Sequence, residues 1–234
     1  MPDRTPLVFL PGLLCDGRLW RDQAAALADI AEPTIADLTL DDSVGAMAAR
    51  ALAGAPPRFA LAALSMGGYL AFEMLRQVPG RVTRLALLDT SAAPDTAERA
   101  GQRRAAMESL RHGRFLGVTT RMLPQLVHAR HVQGPVGDEV RAMARRVGGA
   151  AFLRQQRAIL GRPDSRPLLP SIGIPTLVAV GDADVLTPVA EAEEIHRGIA
   201  GSVLHVFPEC GHLPAMELPE ETAELLRTWL RWRA

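Results

Sequence analysis

The sequence predicts an α/β fold: a mainly parallel sheet of about six strands with helices on both faces and a helical cap inserted ahead of the last two strands. Three observations carry this expectation. Short apolar runs alternate with helical segments along the chain. The runs are continuously apolar, as strands covered on both faces must be. Between Thr90 and Leu169 the strand signal stops and a helical pattern takes over, broken near Gly113, Pro124, Gly134-Pro135 and Gly161. These breaks divide the chain into a core of residues 1–90 and 171–234 and a cap of residues 91–170.

Taken in order, Leu7 to Leu10 reads as the first strand and Trp20 to Ala28 as a helix after a Pro-Gly turn. Glu32 to Leu38 is a second strand, and Asp42 or Ser43 caps a helix that runs to about Ala53. Phe59 to Leu64 is a third strand, continuing into a helix over Met66 to Val78, and Arg84 to Leu88 is a fourth. After the cap come Thr176 to Val180 and Val203 to Phe207, separated by a helix from about Val189 to Ile199, and Glu220 to Trp232 closes the chain as a helix. No repeat or low-complexity tract interrupts this order.

The bulk properties narrow the possible functions. A length of 234 residues with 48% apolar content suits one α/β domain with an insertion. Basic and acidic residues balance at 26 each, which argues against a nucleic-acid or polyanion binder. No apolar run reaches membrane-spanning length. The segment Met1 to Gly17 mimics a signal peptide, but Pro11 and Gly12 break its apolar stretch and no small-residue cleavage site follows, so a buried first strand and a cytoplasmic protein are expected. Cys15 and Cys210 are too few for a disulfide framework and read as buried thiols, with a redox-sensitive pair as the alternative. All the basic residues are arginine, which excludes lysine Schiff-base chemistry. Residues 91–170 hold 14 arginines against 6 acids and the remainder 12 against 20. Because these arginines spread along every cap helix, they read as partners of an acidic core rim; an arginine-lined entrance for an anionic substrate, with Arg103, Arg104, Arg145 and Arg146 as candidates, is the alternative.

The stretch from Phe59 to Leu75 carries the chemistry. A buried strand runs into Ser65, turns on Met66, Gly67 and Gly68 and continues as a helix, with Ala63 two residues before the serine and Gly67 two after. A serine on such a corner is forced into a strained backbone that small neighbours permit. Its hydroxyl then stands at the carboxyl end of the sheet beside the Met66 N–H, a geometry suited to a nucleophile; the plainer alternative is a serine N-cap. Two partners follow in order: Asp182 or Asp184 after the strand Thr176 to Val180, and His212 after Val203 to Phe207, each just past a carboxyl strand end. His112, His128, His131, His196 and His205 have no motif around them and are expected on the surface or in the cap. No cluster has metal-ligand spacing and no glycine-rich phosphate loop occurs, so no cofactor is expected.

In these motifs and their order, the chain resembles α/β-hydrolase fold enzymes of the small esterase, enol-lactonase and perhydrolase type. The resemblance covers nearly the whole chain. It implies a catalytic triad of Ser65, Asp184 and His212, with the acid three residues after Gly181, and an oxyanion hole from the backbone N–H groups of Leu13 and Met66. The sequence departs from the family pattern at Ala63, where glycine is usual, and at Pro11, where histidine usually precedes Gly12. The family's N-terminal antiparallel hairpin is also expected to be missing. The resemblance implies a serine hydrolase of small carboxylic esters, lactones or thioesters, working through an acyl-enzyme on Ser65 with no nucleic-acid or membrane partner. The alternatives it leaves are a C–C hydrolase or perhydrolase using the same triad, and a triad-bearing ligand receptor with negligible turnover. It leaves the oligomeric state open.

Overall fold

In a computed structural model, the structure describes residues 4–113 and 115–232. The chain forms β1 (Thr5–Leu10), α1 (Arg21–Ala26), β2 (Ala31–Ile35), α2 (Val44–Gly54), β3 (Phe59–Leu64), α3 (Met66–Gln77) and β4 (Val82–Leu88). An insertion with α4 (Ala97–His112), α5 (Leu123–Leu126) and α6 (Pro135–Leu160) follows. The chain then returns through β5 (Thr176–Gly181), α7 (Val189–Gly198), β6 (Val203–Phe207), α8 (Pro214–Glu217) and α9 (Pro219–Leu230). The strands form one six-stranded sheet in the order β2-β1-β3-β4-β5-β6, with every neighbouring pair parallel.

Strand position explains strand composition. β3 and β5 are buried at every residue, because helices cover both of their faces. Alternate side chains feed two cores. Leu7, Phe9, Ala60, Ala62, Leu64, Ala86 and Leu88 point to one face with Trp20 and Trp229. Val8, Leu10, Leu61, Ala63, Leu85 and Leu87 point to the other with Leu70 and Phe72 of α3. The first core continues through Leu123, Val140, Met143 and Phe152 into the insertion, which is therefore packed onto the sheet domain. Edge strands β2 and β6 are only partly buried, and β2 carries Pro33, tolerable where one side of the ladder is unpaired.

Several boundaries differ from the sequence reading. The helix expected from Trp20 to Ala28 is a 3-10 turn over Gly17–Trp20 followed by the shorter α1, with the Asp16 side chain accepting from the Arg18 N–H. β2 stops at Ile35, three residues early, and β4 starts at Val82, two residues early. Ser43 is the cap of α2. The insertion breaks near each expected Gly or Pro, and its long helix α6 also kinks at Gly148, where φ is 79°. The helix α8 was not anticipated; Pro214 opens it directly after the His212 loop.

The strand order has one reversal. From β1 the chain crosses to β2 at one edge, returns to β3 on the other side of β1, and then moves outward through β4, β5 and β6. The loops leaving β1 and β3 thus diverge, opening a crevice at the carboxyl ends of adjacent strands, where α/β sheets bind ligands. Gly67 permits the close approach of α3 to β1, since a methyl group there would collide with the Leu10 carbonyl. Gly67→Ala should therefore cost about 1–3 kcal/mol. Gly54→Ala, at the end of α2 where nothing lies within 4 Å of an added methyl, should be neutral or stabilising by up to about 1 kcal/mol. Urea denaturation of the two variants checks this, and equal stability would remove the steric argument.

Candidate active site

Ser65 caps α3 with φ 55° and ψ −117°, a backbone conformation that costs on the order of 1–3 kcal/mol for a residue with a side chain. Its neighbours hold it there. The Ser65 N–H donates to Leu88 O at 3.0 Å, and its carbonyl accepts from Gly68 N at 2.9 Å and from the Thr90 hydroxyl at 2.8 Å. Ala63 is fully buried in β3, so alanine is accommodated at the position where glycine is usual.

The structure brings the predicted partners together. His212 Nε2 lies 2.8 Å from Ser65 Oγ, and His212 Nδ1 lies 2.7 Å from Asp184 Oδ2. Asp184 also accepts from the N–H groups of Leu186 (2.8 Å) and Thr187 (3.1 Å) and from the Thr187 hydroxyl (2.7 Å). Burial pushes the Asp184 carboxyl up, but the His212 charge and these hydrogen bonds outweigh it and hold the group below the usual carboxylate range. Asp182 is placed differently: its carboxylate accepts from the Cys210 N–H at 3.1 Å, fastening the histidine loop.

Leu13 and Met66 border the same cavity as Ser65 and His212. The loop carrying Leu13 is set by Leu14, at φ 60°, whose N–H donates to Gln155 Oε1 at 3.1 Å; Gln155 Nε2 in turn donates to Leu38 O. Gln155 is fully buried on α6, so an insertion side chain fixes the turn beside Ser65. The insertion also grips the His212 loop. The His212 N–H donates to Leu126 O at 3.2 Å, and the buried Glu217 carboxylate accepts from the N–H groups of His128, Gly211 and Leu213.

The cavity has a volume of about 540 Å³, within the ordinary range for small-molecule sites. Val118, Val140, Met143, Phe152 and Ile159 give it apolar walls, and Tyr69, Arg99, Gln102, Arg103 and Gln156 add a polar section. The arginines there are paired: Arg103 with Asp95 and Gln156, Arg99 with Glu191. Elsewhere insertion arginines reach core acids, in Arg146–Asp16, Arg157–Asp42, Arg166–Glu194 and Arg130–Glu209. Arg114 lies outside the described residues.

Both cysteines are buried and unpaired. Burial, followed by the neighbouring Asp16 charge, pushes the Cys15 thiol up to about 12, and burial with Glu217 raises Cys210 further, so neither is a reactive thiolate. Among the described residues, Asp89, Asp184 and His212 form a group of metal-ligand type, with atoms within 4.8 Å of one another, but His212 Nδ1 and Asp184 Oδ2 are engaged with each other. No described helix is long and apolar enough to cross a membrane.

The sequence reading missed Asp89, Thr90, Gln155, Thr187 and Glu217. Asp89 and Thr90 had a signal, as polar residues immediately past a strand's carboxyl end; Gln155 and Glu217 had none, because their partners are remote in sequence.

Comparison with known proteins agrees with this fold. Residues 7–225 match the profile of the alpha/beta hydrolase family. A pimeloyl-[acyl-carrier protein] methyl ester esterase of Neisseria meningitidis serogroup C is 28% identical over 172 residues, covering 71% of this chain and 67% of that one. The chain spans between 55% and 72% of the length of such relatives, with 55% for one from serogroup A. Among solved structures, a thermophilic esterase from Thermogutta terrifontis superposes with a TM-score of 0.88 at 31% identity, covering 97% of this chain and 89% of that one. The enol-lactonase from Burkholderia xenovorans shares the fold, with a TM-score of 0.81 at 22% identity over 98% of this chain and 92% of that one. The profile match extends over most of the chain and takes in both the serine corner and the histidine loop, and the protein belongs to the alpha/beta hydrolase family.

Proposed function

We propose that the protein is a serine hydrolase of small carboxylic esters, with Ser65 as nucleophile, His212 as general base and then acid, Asp184 as the acid of the triad, and the Leu13 and Met66 N–H groups as the oxyanion hole. The observation that carries this reading is the unbroken Ser65–His212–Asp184 hydrogen-bonded chain, opening on an apolar-walled cavity. The esterase relatives support it.

In this reading Ser65 Oγ attacks the ester carbonyl while His212 Nε2 takes its proton. The carbonyl electrons move onto oxygen, where preformed N–H donors at the helix N-terminus and in the Leu13 loop stabilise them, each worth roughly 3 kcal/mol in comparable sites. His212 then protonates the departing alcohol, leaving an acyl group on Ser65. Water, activated by the same imidazole, releases the acid. Asp184 holds the Nδ1–H tautomer and stabilises the imidazolium. Residues 91–170 act as a cap over this centre, which their contribution to the cavity wall supports. The apolar walls suit an aliphatic acyl chain, and the unpaired thiols fit a reducing, cytoplasmic setting.

Hydrolysis of p-nitrophenyl acetate, butyrate and octanoate tests the reading. Repeated turnover is expected, with Ser65→Ala reducing kcat/KM about 100-fold or more and keeping the fold by circular dichroism. A single stoichiometric burst in the parent enzyme would favour a receptor-like protein, and full activity in Ser65→Ala would end the assignment.

Asp184→Asn should lower kcat on the order of 10³-fold, because the imidazole loses its tautomer and its counter-charge, whereas Asp182→Asn should cost less than about tenfold. The reverse order would move the acid role to Asp182.

The ion pairs of the insertion support a structural role for its arginines. Raising salt from about 50 to 500 mM should then lower kcat/KM equally for an acidic and a neutral ester. A selectively steep fall for the acidic ester would make Arg99 or Arg103 part of substrate recognition.

A further inference from the structure

Asp89 is a fully buried acidic residue at the catalytic edge of the sheet that the proposed mechanism does not use. It follows β4, is fully buried, and sits at φ 45°, a left-handed conformation that aspartate tolerates better than most residues. Two bonds tie it to the strand that delivers Asp184: its N–H donates to Ala179 O at 2.9 Å, and its Oδ1 accepts from the Gly181 N–H at 2.9 Å. Its other oxygen, Oδ2, is buried with no partner. Oxygens of Asp89 and Asp184 and a ring nitrogen of His212 lie within 4.8 Å of one another.

A buried carboxylate oxygen without a donor is costly, and two ionised carboxylates in contact in a dry site repel strongly. Both problems vanish if Asp89 carries a proton on Oδ2, since the lone acceptor then becomes a donor with the Asp184 carboxyl beside it. The titratable groups around it are Asp184 after β5, Cys210 and His212 after β6, and Glu217 on α8. Burial, reinforced by the Asp184 charge, drives the Asp89 carboxyl well above the ordinary carboxylate range. Asp184 moves the opposite way, so the two neighbouring carboxyls are driven apart in proton affinity.

We propose that Asp89 is a positioning residue that, as a carboxylic acid, donates from Oδ2 to the Asp184 carboxylate and thereby limits how strongly that carboxylate holds a proton on His212. The proposal rests on the triad reading. Asp184 then receives donors from His212, from Leu186, from Thr187 and from Asp89, and each donor beyond His212 draws charge away from the imidazole. Removing one makes Asp184 more basic and raises the pH at which His212 loses its proton. The residue tunes the working pH of the base without touching substrate.

The test compares Asp89→Asn with Asp89→Ala, following the His212 imidazole by NMR titration, assigned with His212→Gln, alongside the acid limb of kcat/KM. Asparagine reproduces the proposed group, with a carbonyl for the Gly181 N–H and an N–H for Asp184, and should titrate within about 0.3 pH units of the parent. Alanine should move the titration and the acid limb upward by about 0.5–1 unit. If Asp89→Ala does not fold, Asp89→Gly, suited to the positive φ, replaces it. A downward move of a unit or more in Asp89→Asn would mean that Asp89 is ionised and overturn the proposal. An unchanged titration in the alanine or glycine variant would reduce Asp89 to packing and overturn it equally. The NMR readout does not depend on turnover, so a failure of the hydrolase reading in Ser65→Ala would remain distinct from either result.

Discussion

The backbone of Ser65, at φ 55° and ψ −117°, is held against its own preference by bonds from two directions. Leu88 O receives its N–H, and Gly68 N and the Thr90 hydroxyl converge on its carbonyl. This corner fixes where the hydroxyl stands and where α3 begins. It exists only because the strands are arranged so that β4 lies beside β3 and β1 on its other flank. The strain is met by sheet pairing and by small residues, and a looser corner would disperse the hydroxyl over several directions. Gly68 and Thr90 show how close the tolerance is, since a methyl group at Gly68 would overlap the Thr90 side chain.

The insertion lines the cavity and also bonds to the loops around Ser65 and His212. Gln155 on α6 fixes the Leu14 turn, and the segment around α5 bonds to the His212 loop through Leu126 O and the His128 N–H. The Glu217 carboxylate is the hub of that junction. Burying a charge without partners would be prohibitive, but three backbone N–H groups give it the donors that water would have supplied. Because these links join insertion elements to the loops beside Ser65 and at His212, displacement of the insertion and the geometry around Ser65 and His212 are mechanically coupled. The ion pairs at the rim contribute less: several of their members are half-exposed, and such pairs are worth about 0.2–1 kcal/mol each.

Three buried carboxyl groups, Asp89, Asp184 and Glu217, lie near His212 and differ by environment alone. Asp184 has donors from two backbone N–H groups, a hydroxyl and an imidazole. Glu217 has three backbone donors. Asp89 has one, with its second oxygen facing no donor. Asp184, with the larger set of donors, is held below the usual carboxylate range and Asp89, with one, is pushed well above it, because hydrogen bonding offsets the hydration lost on burial.

The sequence by itself determined the order of strands and helices, the six-stranded parallel sheet and the residues that meet at its carboxyl edge. Those features are local: apolar runs, capping residues and small neighbours around Ser65 act over a few positions, and the family resemblance selected Asp184 over Asp182 and pointed to Leu13. Strand ends at Ile35 and Val82, the kink at Gly148 and helix α8 were less legible, since edge exposure and packing set them. Only the tertiary structure decided which insertion residues enter the site, that most rim arginines are already paired, and that Asp89 stands beside Asp184 with an oxygen left over. Gln155 bonds to Leu14 across 141 residues and Asp89 to Gly181 across 92. Contacts at such separation leave no periodic trace, because they arise when packing brings remote polar groups together and burial then forces each to find a partner.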